Sequence, residues 1–395
     1  MRTQRVWLVL LLATLFLPAN LLAQSGKAFN PRTPRALGMG NAAVGVGGDY
    51  NALFYNPAGL ATIEEMEIQA LAPMWESNKE TLGFIGDVAD VSTANDAAQL
   101  IINHQGEPIF SRIDSISYFT IKKGPVAIGA AVVFDWTLEQ SISSADSNIA
   151  TPTDEIVITR KTTDLGGVVG LSYDVIEKYV AAGLNLKLFN RWSSFDTENA
   201  QELAGNEGLD AEIVKPFGGC GGVPILNCQS DSSFGAGVDL GTLFMVPFEE
   251  IPALGNAPGL KGSRLQAAVV WQDVADTRFD FDDIPQTVDI GLAYIQSIVI
   301  GDVKLAVDFR DLNRDTNGLD PDYTFGEKVS FGGEIAFKKI LTLRAGLNET
   351  GGAAGLALRL WVWRLEGGWF QEKTELPSSG RDNRFFISSG FGWYN

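Results

Sequence analysis

From residue 65 to the end of the chain, apolar and polar residues alternate with a period of two. Val303, Leu305, Val307 and Phe309 interleave with Lys304, Ala306, Asp308 and Arg310. Val329, Phe331, Ile335 and Phe337 stand against Lys328, Ser330, Gly332 and Glu334, and Leu341, Leu343, Ala345 and Leu347 against Thr342, Arg344 and Asn348. Leu356, Leu358 and Leu360 likewise oppose Ala357 and Arg359. Successive side chains of a strand point to opposite faces, so each segment predicts a strand with one apolar and one polar face. Earlier segments keep the pattern with smaller residues on the second face: Val180, Ala182, Leu184, Leu186 and Leu188 face away from Ala181, Gly183, Asn185 and Lys187. The whole set comes to roughly fourteen strands, an even number as in single-chain bacterial membrane barrels. Their centres fall near Gln69, Ser117, Ala130, Leu165, Leu184, Val238, Val269, Ile290, Val307, Phe331, Leu343, Leu358, Leu365 and Ile387.

Two pieces of the chain break the pattern. Residues Ser25 to Ala61 are rich in glycine and keep no period, which predicts an irregular segment packed against something else. Asp87 to Asn103 predicts one or two helices in a long loop. The connections alternate in length: Lys122–Pro125, Ile176–Lys178, Ile300–Asp302, Lys338–Lys339 and Trp361–Trp363 are tight. Glu139–Asp154, Phe195–Ser232 and Asp311–Tyr323 are long and polar, and Val246–Gly262 is a longer connection on the tight-turn side. An even strand count puts both chain ends on that side.

A strand with one apolar face suits either a soluble sandwich, which buries that face against a second sheet, or a membrane barrel, which turns it to lipid. Three features favour the barrel. Met1 to Ala23 carries Arg2 and Arg5, an apolar run from Val6 to Leu17 and a small-residue end, as a cleavable export signal does. The connections alternate strictly between tight and long, as in a membrane barrel, and with no apolar run long enough for a membrane-crossing helix a closed barrel is what remains if the chain spans a membrane. Trp136, Trp192, Trp271, Trp361, Trp363, Trp393 and Tyr394 lie near strand ends, where interfacial aromatic girdles belong. The expected division is a signal over 1–23, an N-terminal segment over 24–63 and an all-β antiparallel transmembrane barrel over 64–395. The expected location is the cell outer membrane, with outer-membrane lipid as a partner.

Charge narrows the function. Loss of the signal leaves 28 of the 30 basic residues against 48 acidic ones, which disfavours nucleic acid as a partner. The acidic clusters Asp196–Asp210, Asp273–Asp283 and Asp308–Asp322 predict solvated loops. Cys220 and Cys228, in a Gly-rich loop of an exported chain, predict a local disulfide. The single histidine, His104, is expected to be solvated, and no cofactor or metal is expected. Asp311, Asn313, Asp315 and Asn317 before Gly318 have the alternating oxygens of a calcium loop, but the terminal glutamate is missing, so a solvated acidic loop is the better reading. There is no Gly-x-Ser-x-Gly elbow and no histidine near a nucleophile, so no enzymatic activity is expected.

Residues Arg35–Leu60, above all Asn56-Pro57-Ala58-Gly59-Leu60, resemble the N-terminal signature of the FadL and PorV group of outer-membrane barrels. Conjugation-associated TraF-like barrels are similar in the same places. Weaker similarity extends through Asp239–Gly241, Val307–Phe309 and Leu343–Gly346. The resemblance implies a fourteen-stranded barrel whose N-terminal segment folds into the lumen as a hatch, with Gly38, Gly40, Asn56, Pro57, Ala58 and Gly59 at the gate. Asn56-Pro57-Ala58-Gly59 is chemically a turn, since Asn can satisfy turn backbone and Pro presets φ. Asp239, Asp308, Arg310, Glu334, Arg344, Arg359 and Glu366, with Lys187, Lys304 and Arg364, are expected in the lumen, where opposite charges compensate one another. The leading function implied is passive transport of hydrophobic small molecules such as long-chain fatty acids. The rivals are a PorV-like docking or shuttle component with a secretion-system or cargo protein as partner, and a surface barrel that transports nothing.

Overall fold

The computed structural model describes residues 31–64, 66–88, 94–144, 155–198, 231–251, 260–280, 283–313, 325–338, 340–348, 350–373 and 381–394. The expected signal at 1–23, the cysteines Cys220 and Cys228, and the loop residues Asp315, Asn317 and Gly318 lie outside them.

Fourteen strands form one closed antiparallel sheet, and Thr277–Arg278 pairs with Asp283–Ile284 as a small separate ribbon in one connection. Strand β1 has two segments, Glu67–Leu71 and Pro73–Asn78, because Pro73 can donate no ladder hydrogen bond. It is followed by β2 (Pro108–Lys123), β3 (Val126–Ser144), β4 (Glu155–Ile176), β5 (Val180–Glu198) and β6 (Asp231–Pro247). Then come β7 (Ser263–Gln272), β8 (Thr287–Ile298), β9 (Gly301–Phe309) and β10 (Val329–Phe337). The last four are β11 (Leu341–Asn348), β12 (Gly351–Leu360), β13 (Trp363–Lys373) and β14 (Arg381–Tyr394). Each pairs with its sequence neighbours, and both segments of β1 also pair with β14, Glu67 opposite Tyr394 and Asn78 opposite Arg384. A sheet of fourteen strands is thereby closed without an edge, and every strand centre read from the sequence lies inside its strand.

The alternation sorts the wall into two environments. Val132, Val169, Leu186, Leu347, Leu356 and Ile387 are between 47% and 61% exposed on the outside, while Asn185, Asp239, Gln266 and Asp308, on the other parity, are at most 1% exposed. A continuous apolar outer band around a polar, filled interior is stable only with hydrocarbon outside. Among the described residues no helix is long and apolar enough to cross a membrane, and the apolar outer band is carried by the strands.

Several sequence expectations are corrected. Glu139–Ser144 and Phe195–Glu198, expected in loops, continue β3 and β5. Strands of 19 and 22 residues (β3, β4) exceed the 9–11 needed to cross, so the hairpins project beyond the bilayer, where polar residues pair as well as apolar ones. The long loop after β1 holds two helices, α3 (Lys79–Val88) and α4 (Ala94–Asn103), the first starting eight residues earlier than Asp87. Trp361, Trp363 and Trp393 are exposed as girdle residues should be, but Trp136, which has outward parity on β3, is only 7% exposed; α4 packs against β3 and β4. His104 is buried rather than solvated. Its Nδ1 and Nε2 lie 2.7 Å from Glu107 and 2.9 Å from Asp87, and its ring meets Phe84 edge-on. Asp273, assigned to a solvated acidic cluster, is buried in the lumen: it follows the end of β7 with a positive φ of 50°, which takes it off the strand's parity and toward Lys187. Asp308, which fell both in such a cluster and among the expected lumen charges, is buried at inward parity on β9.

Candidate functional site: the lumen and the segment that fills it

Residues 31–63 run around the inner wall as short helical turns. Thr33 caps α1 (Pro34–Gly38): its Oγ1 accepts from the Ala36 amide at 3.3 Å, and Pro34 occupies the first position, where a missing amide costs nothing. Gly40 and Asn41 then take positive φ, 62° and 68°, and reverse the chain. After α2 (Ala52–Tyr55), Asn56 Oδ1 accepts from the Ala58 amide at 3.0 Å, and Pro57 opens a 3-10 helix, Pro57–Thr62. Each element is too short to be stable alone. Nearly every residue between 33 and 61 is buried, so the wall holds the segment in shape.

The wall receives this backbone at inward-facing glycines. A methyl group on Gly346 would lie 2.2 Å from Met39 C, on Gly291 2.3 Å from Gly45 N, and on Gly183 2.3 Å from Ala58 N. On Gly241 it would lie 2.3 Å from Asn56 Oδ1. These glycines, on β11, β8, β5 and β6, sit at positions whose parity would otherwise place a side chain in the lumen. Their absence of a Cβ is what lets main chain approach main chain.

Charges tie the same segment to the same wall. Asp308, fully buried on β9, accepts from the amides of Ala43 and Val44 at 2.6 and 2.7 Å. Hydrogen bonds to a charged acceptor contribute about 1.5–3 kcal/mol each. Arg35 donates to Glu334 at 3.1 Å and to Asp49 at 2.7 Å; Glu334 also meets Arg344 at 2.9 Å and Lys304 at 3.0 Å. Arg344 continues to Glu366 at 2.5 Å, and Glu366 to Arg364 at 2.8 Å. Nearer the loop end, Arg32 bridges to Glu372 and Glu76, which belong to β13 and β1. Asp49 lies in the lumen segment, outside the spanning strands. Burial alone would raise its carboxyl, but Arg35, assisted by Lys304 and a hydrogen bond from Asn51, holds it below the ordinary range. Further ties are neutral: Asn185 donates to Leu53 O and Gln272 to Phe54 O, both at 2.8 Å, and Ser172 donates to Ala58 O at 3.2 Å.

One side of the lumen is apolar. Tyr50, Leu53, Phe54 and Leu60 pack on Ile116, Tyr118, Ala131, Val133, Val168 and Phe189 of β2–β5, with Phe279 and Ile284 from the β7–β8 connection closing the cluster. Tyr50 and Tyr118 stack with ring centroids 4.1 Å apart. Below the segment, at the tight-turn end, lies a cavity of about 720 Å³ bounded by Ala61, Glu64, Lys122, Asp174, Met245 and Arg264. A second, of about 240 Å³, is bounded by Asp49, Glu67, Lys304, Arg344, Arg359 and Arg364.

The structure therefore brings Gly38, Gly40, Asn56, Pro57 and Ala58 against the wall and Gly59 against Gly47 and Ala52 of the segment itself. Glu334, Arg344 and Glu366 form one lumen network with Arg35, and Asp308 holds the segment separately through the Ala43 and Val44 amides. Asp239 lies in a different cluster, with Lys187 at 2.7 Å and the Asp273 amide at 3.0 Å. Arg310 stands over the Tyr55 ring at 5.7 Å, with Asp289 at 3.7 Å, and Arg359 borders the smaller cavity. Asn313 uses its side chain on backbone, accepting from Val288 N and donating to Gln286 O, and no group of metal-ligand type is found among the described residues. Sequence reading missed Arg32, Arg35, Asp49, Glu76 and Asn185, together with the seating glycines Gly183, Gly241, Gly291 and Gly346. The signal available for the glycines was parity, since each replaces an inward side chain within an otherwise regular alternation.

No protein-family model matches the chain, and no curated protein matches it in sequence. Among solved structures it is similar to the deltaS2 mutant of the TodX monoaromatic hydrocarbon channel, with a TM-score of 0.51 at 12% identity over 91% of this chain and 97% of that one. The deltaS2S3 mutant of the same channel gives 0.50 at 12% identity over 90% and 97%. The toluene transporter TodX of Pseudomonas putida gives 0.49 at 12% identity over 93% and 99%. At these identities the two mutant channels establish a shared barrel fold.

Proposed function

We propose that this barrel is a passive outer-membrane channel for hydrophobic small molecules and that residues 31–63 are its hatch. The observation carrying this reading is the apolar side of the lumen, where the wall of β2–β5 presents Ile116, Tyr118, Val133, Val168 and Phe189 to hatch residues Tyr50–Leu60. A path for water-soluble solutes needs no such surface. One for hydrocarbons does, because an apolar solute leaving water gains about 25 cal/mol per Å² only where apolar wall replaces water. Displacing Asn51–Leu60 uncovers that wall and connects it to the cavity at the tight-turn end. Arg344 is an unfavourable anchor for a fatty-acid carboxylate, since Glu334 and Glu366 already neutralise it. The fold shared with a monoaromatic hydrocarbon channel supports an uncharged ligand such as a small aromatic, and long-chain fatty acids are the second class to test.

The test is flux into proteoliposomes containing the purified barrel. Toluene entry above that of protein-free vesicles, with no entry of a sugar of similar size, is the expected result. Replacing Asn56 and Pro57 with Ala should increase that entry, since it removes the Asn56 cap on Ala58 and the preset φ. Equal rates with and without the protein for both toluene and oleate would refute a transport function.

A further inference from the structure

The wall is not equally tall all round. On one side, β2–β6 run 16, 19, 22, 19 and 17 residues, whereas on the other β9–β12 run only 9, 9, 8 and 10. At about 3.3 Å per residue and a tilt near 40°, a strand climbs roughly 2.5 Å per residue along the membrane normal. Eight or nine residues, as in β9–β11, then reach roughly 20–23 Å, at or below the lower limit for the apolar band of about 25 Å that such barrels present, and the ten of β12 just reach it. On β4, by contrast, the outward apolar residues run from Leu165 to Val175 and cover the band without help.

The deficit sits on the same arc as an anomaly in the turns. The β8–β9 turn exposes Val299 completely and Ile300 by half, and the β12–β13 turn exposes Trp361 at 84%; between them the β10–β11 turn has the sequence Lys338-Lys339, and its Ile340 borders the smaller lumen cavity. Turns of the tall side carry charge instead: Lys122 and Lys123 flank Gly124–Pro125, and Glu177 and Lys178 form the β4–β5 turn. At the opposite end of the short arc the outward row of β9 passes from Phe309 to Asp311, while Phe325 before β10 is 62% exposed, so the missing height is shared between the turns and Phe325. One or two residues per hairpin supply roughly 2.5–5 Å, about the deficit. Hydrophobic mismatch of this kind is relieved by burying flanking residues and thinning the bilayer locally.

We propose that Val299, Ile300 and Trp361 are seated in phospholipid, so that the β8–β9 and β12–β13 hairpins dip into the turn-side leaflet while those of β2–β6 stand in water. The inference rests on the outer face of the barrel lying in a bilayer. Lipid is the occupant because these tips continue the apolar outer face of Leu305, Leu360 and Trp363 without an intervening charge on that face. Lys338, at the β10–β11 turn, has a stem long enough to carry its ammonium past the interface.

The test places a nitroxide at one position at a time in the full chain, with Cys220 and Cys228 changed to Ser, reconstituted in dioleoylphosphatidylcholine vesicles. Positions are Val299→Cys and Trp361→Cys, with Leu171→Cys on the lipid face of β4 and Lys178→Cys at a tall-side turn as references. Only variants with the unheated gel mobility of the parent are compared. The expected result is an oxygen-to-nickel-chelate accessibility ratio at 299 and 361 near that of position 171 and well above that of position 178. Ratios at 299 and 361 equal to that of 178, with 171 in lipid, overturn the proposal and leave the membrane barrel standing. A water-like ratio at 171 overturns the barrel's placement, and the proposal with it.

Discussion

Replacing Gly183 with Ala adds one methyl group to the inner wall of β5 at the point where the Asn56-Pro57-Ala58 turn crosses it. The new Cβ would lie 2.3 Å from both Ala58 N and Pro57 C and 2.7 Å from Pro57 O. Ordinary contact begins at 3.4 Å, so the turn must retreat by about 1.1 Å, because the opposing atoms are backbone and cannot rotate away. Two ties at this place are already long, Ser172 to Ala58 O at 3.2 Å and Asn56 Nδ2 to Thr242 O at 3.4 Å, and neither survives such a shift. Overpacking costs about 1–3 kcal/mol and each lost hydrogen bond about 0.5–1.5 kcal/mol, so the seated state loses roughly 2–6 kcal/mol. At 1.4 kcal/mol per factor of ten, even a 3 kcal/mol loss raises the ratio of displaced to seated hatch by roughly a hundredfold. Planar-bilayer conductance and toluene flux read that ratio directly. Gly333→Ala is the control, since its methyl points to lipid and first meets Leu305 Cδ2 at 3.5 Å. Parental conductance, flux and thermal melting in a folded Gly183→Ala barrel would refute the claim that wall glycines seat a gating segment.

Asp308→Ala removes the acceptor of the Ala43 and Val44 amides and should destabilise the seated hatch by about 3–6 kcal/mol, seen as protease cleavage within residues 31–63 while the barrel stays intact. The Asp49 carboxyl is held below its ordinary value, so its contribution is full above about pH 3.9 and is lost as the pH falls through the lower folded value. Conductance should therefore rise only in strong acid, and Asp49→Asn should remove the part of that rise due to this group. Unheated, detergent-extracted protein should run faster on a gel than the heated sample, as a barrel closed between β1 and β14 must; equal mobility counts against closure.

Period-two alternation determined the strands, their number, the apolar outer face and the inward charges, because side-chain direction in a strand is set by position alone. Lys304, Glu334 and Arg344 needed no tertiary knowledge to be placed in the lumen, and the Asn56–Gly59 turn was legible from residue chemistry. Strand ends were less legible. Beyond the membrane the inward and outward environments become alike, so Glu139–Ser144 carries no pattern that separates strand from loop. Pairing partners belonged to the tertiary structure: Arg35 meets Glu334 across 299 positions of sequence, and Asp308 meets Ala43 across 265. Only closure of the sheet brings such residues together, and only then does a glycine such as Gly183, which by itself weakens a strand, become the recess into which the hatch backbone fits.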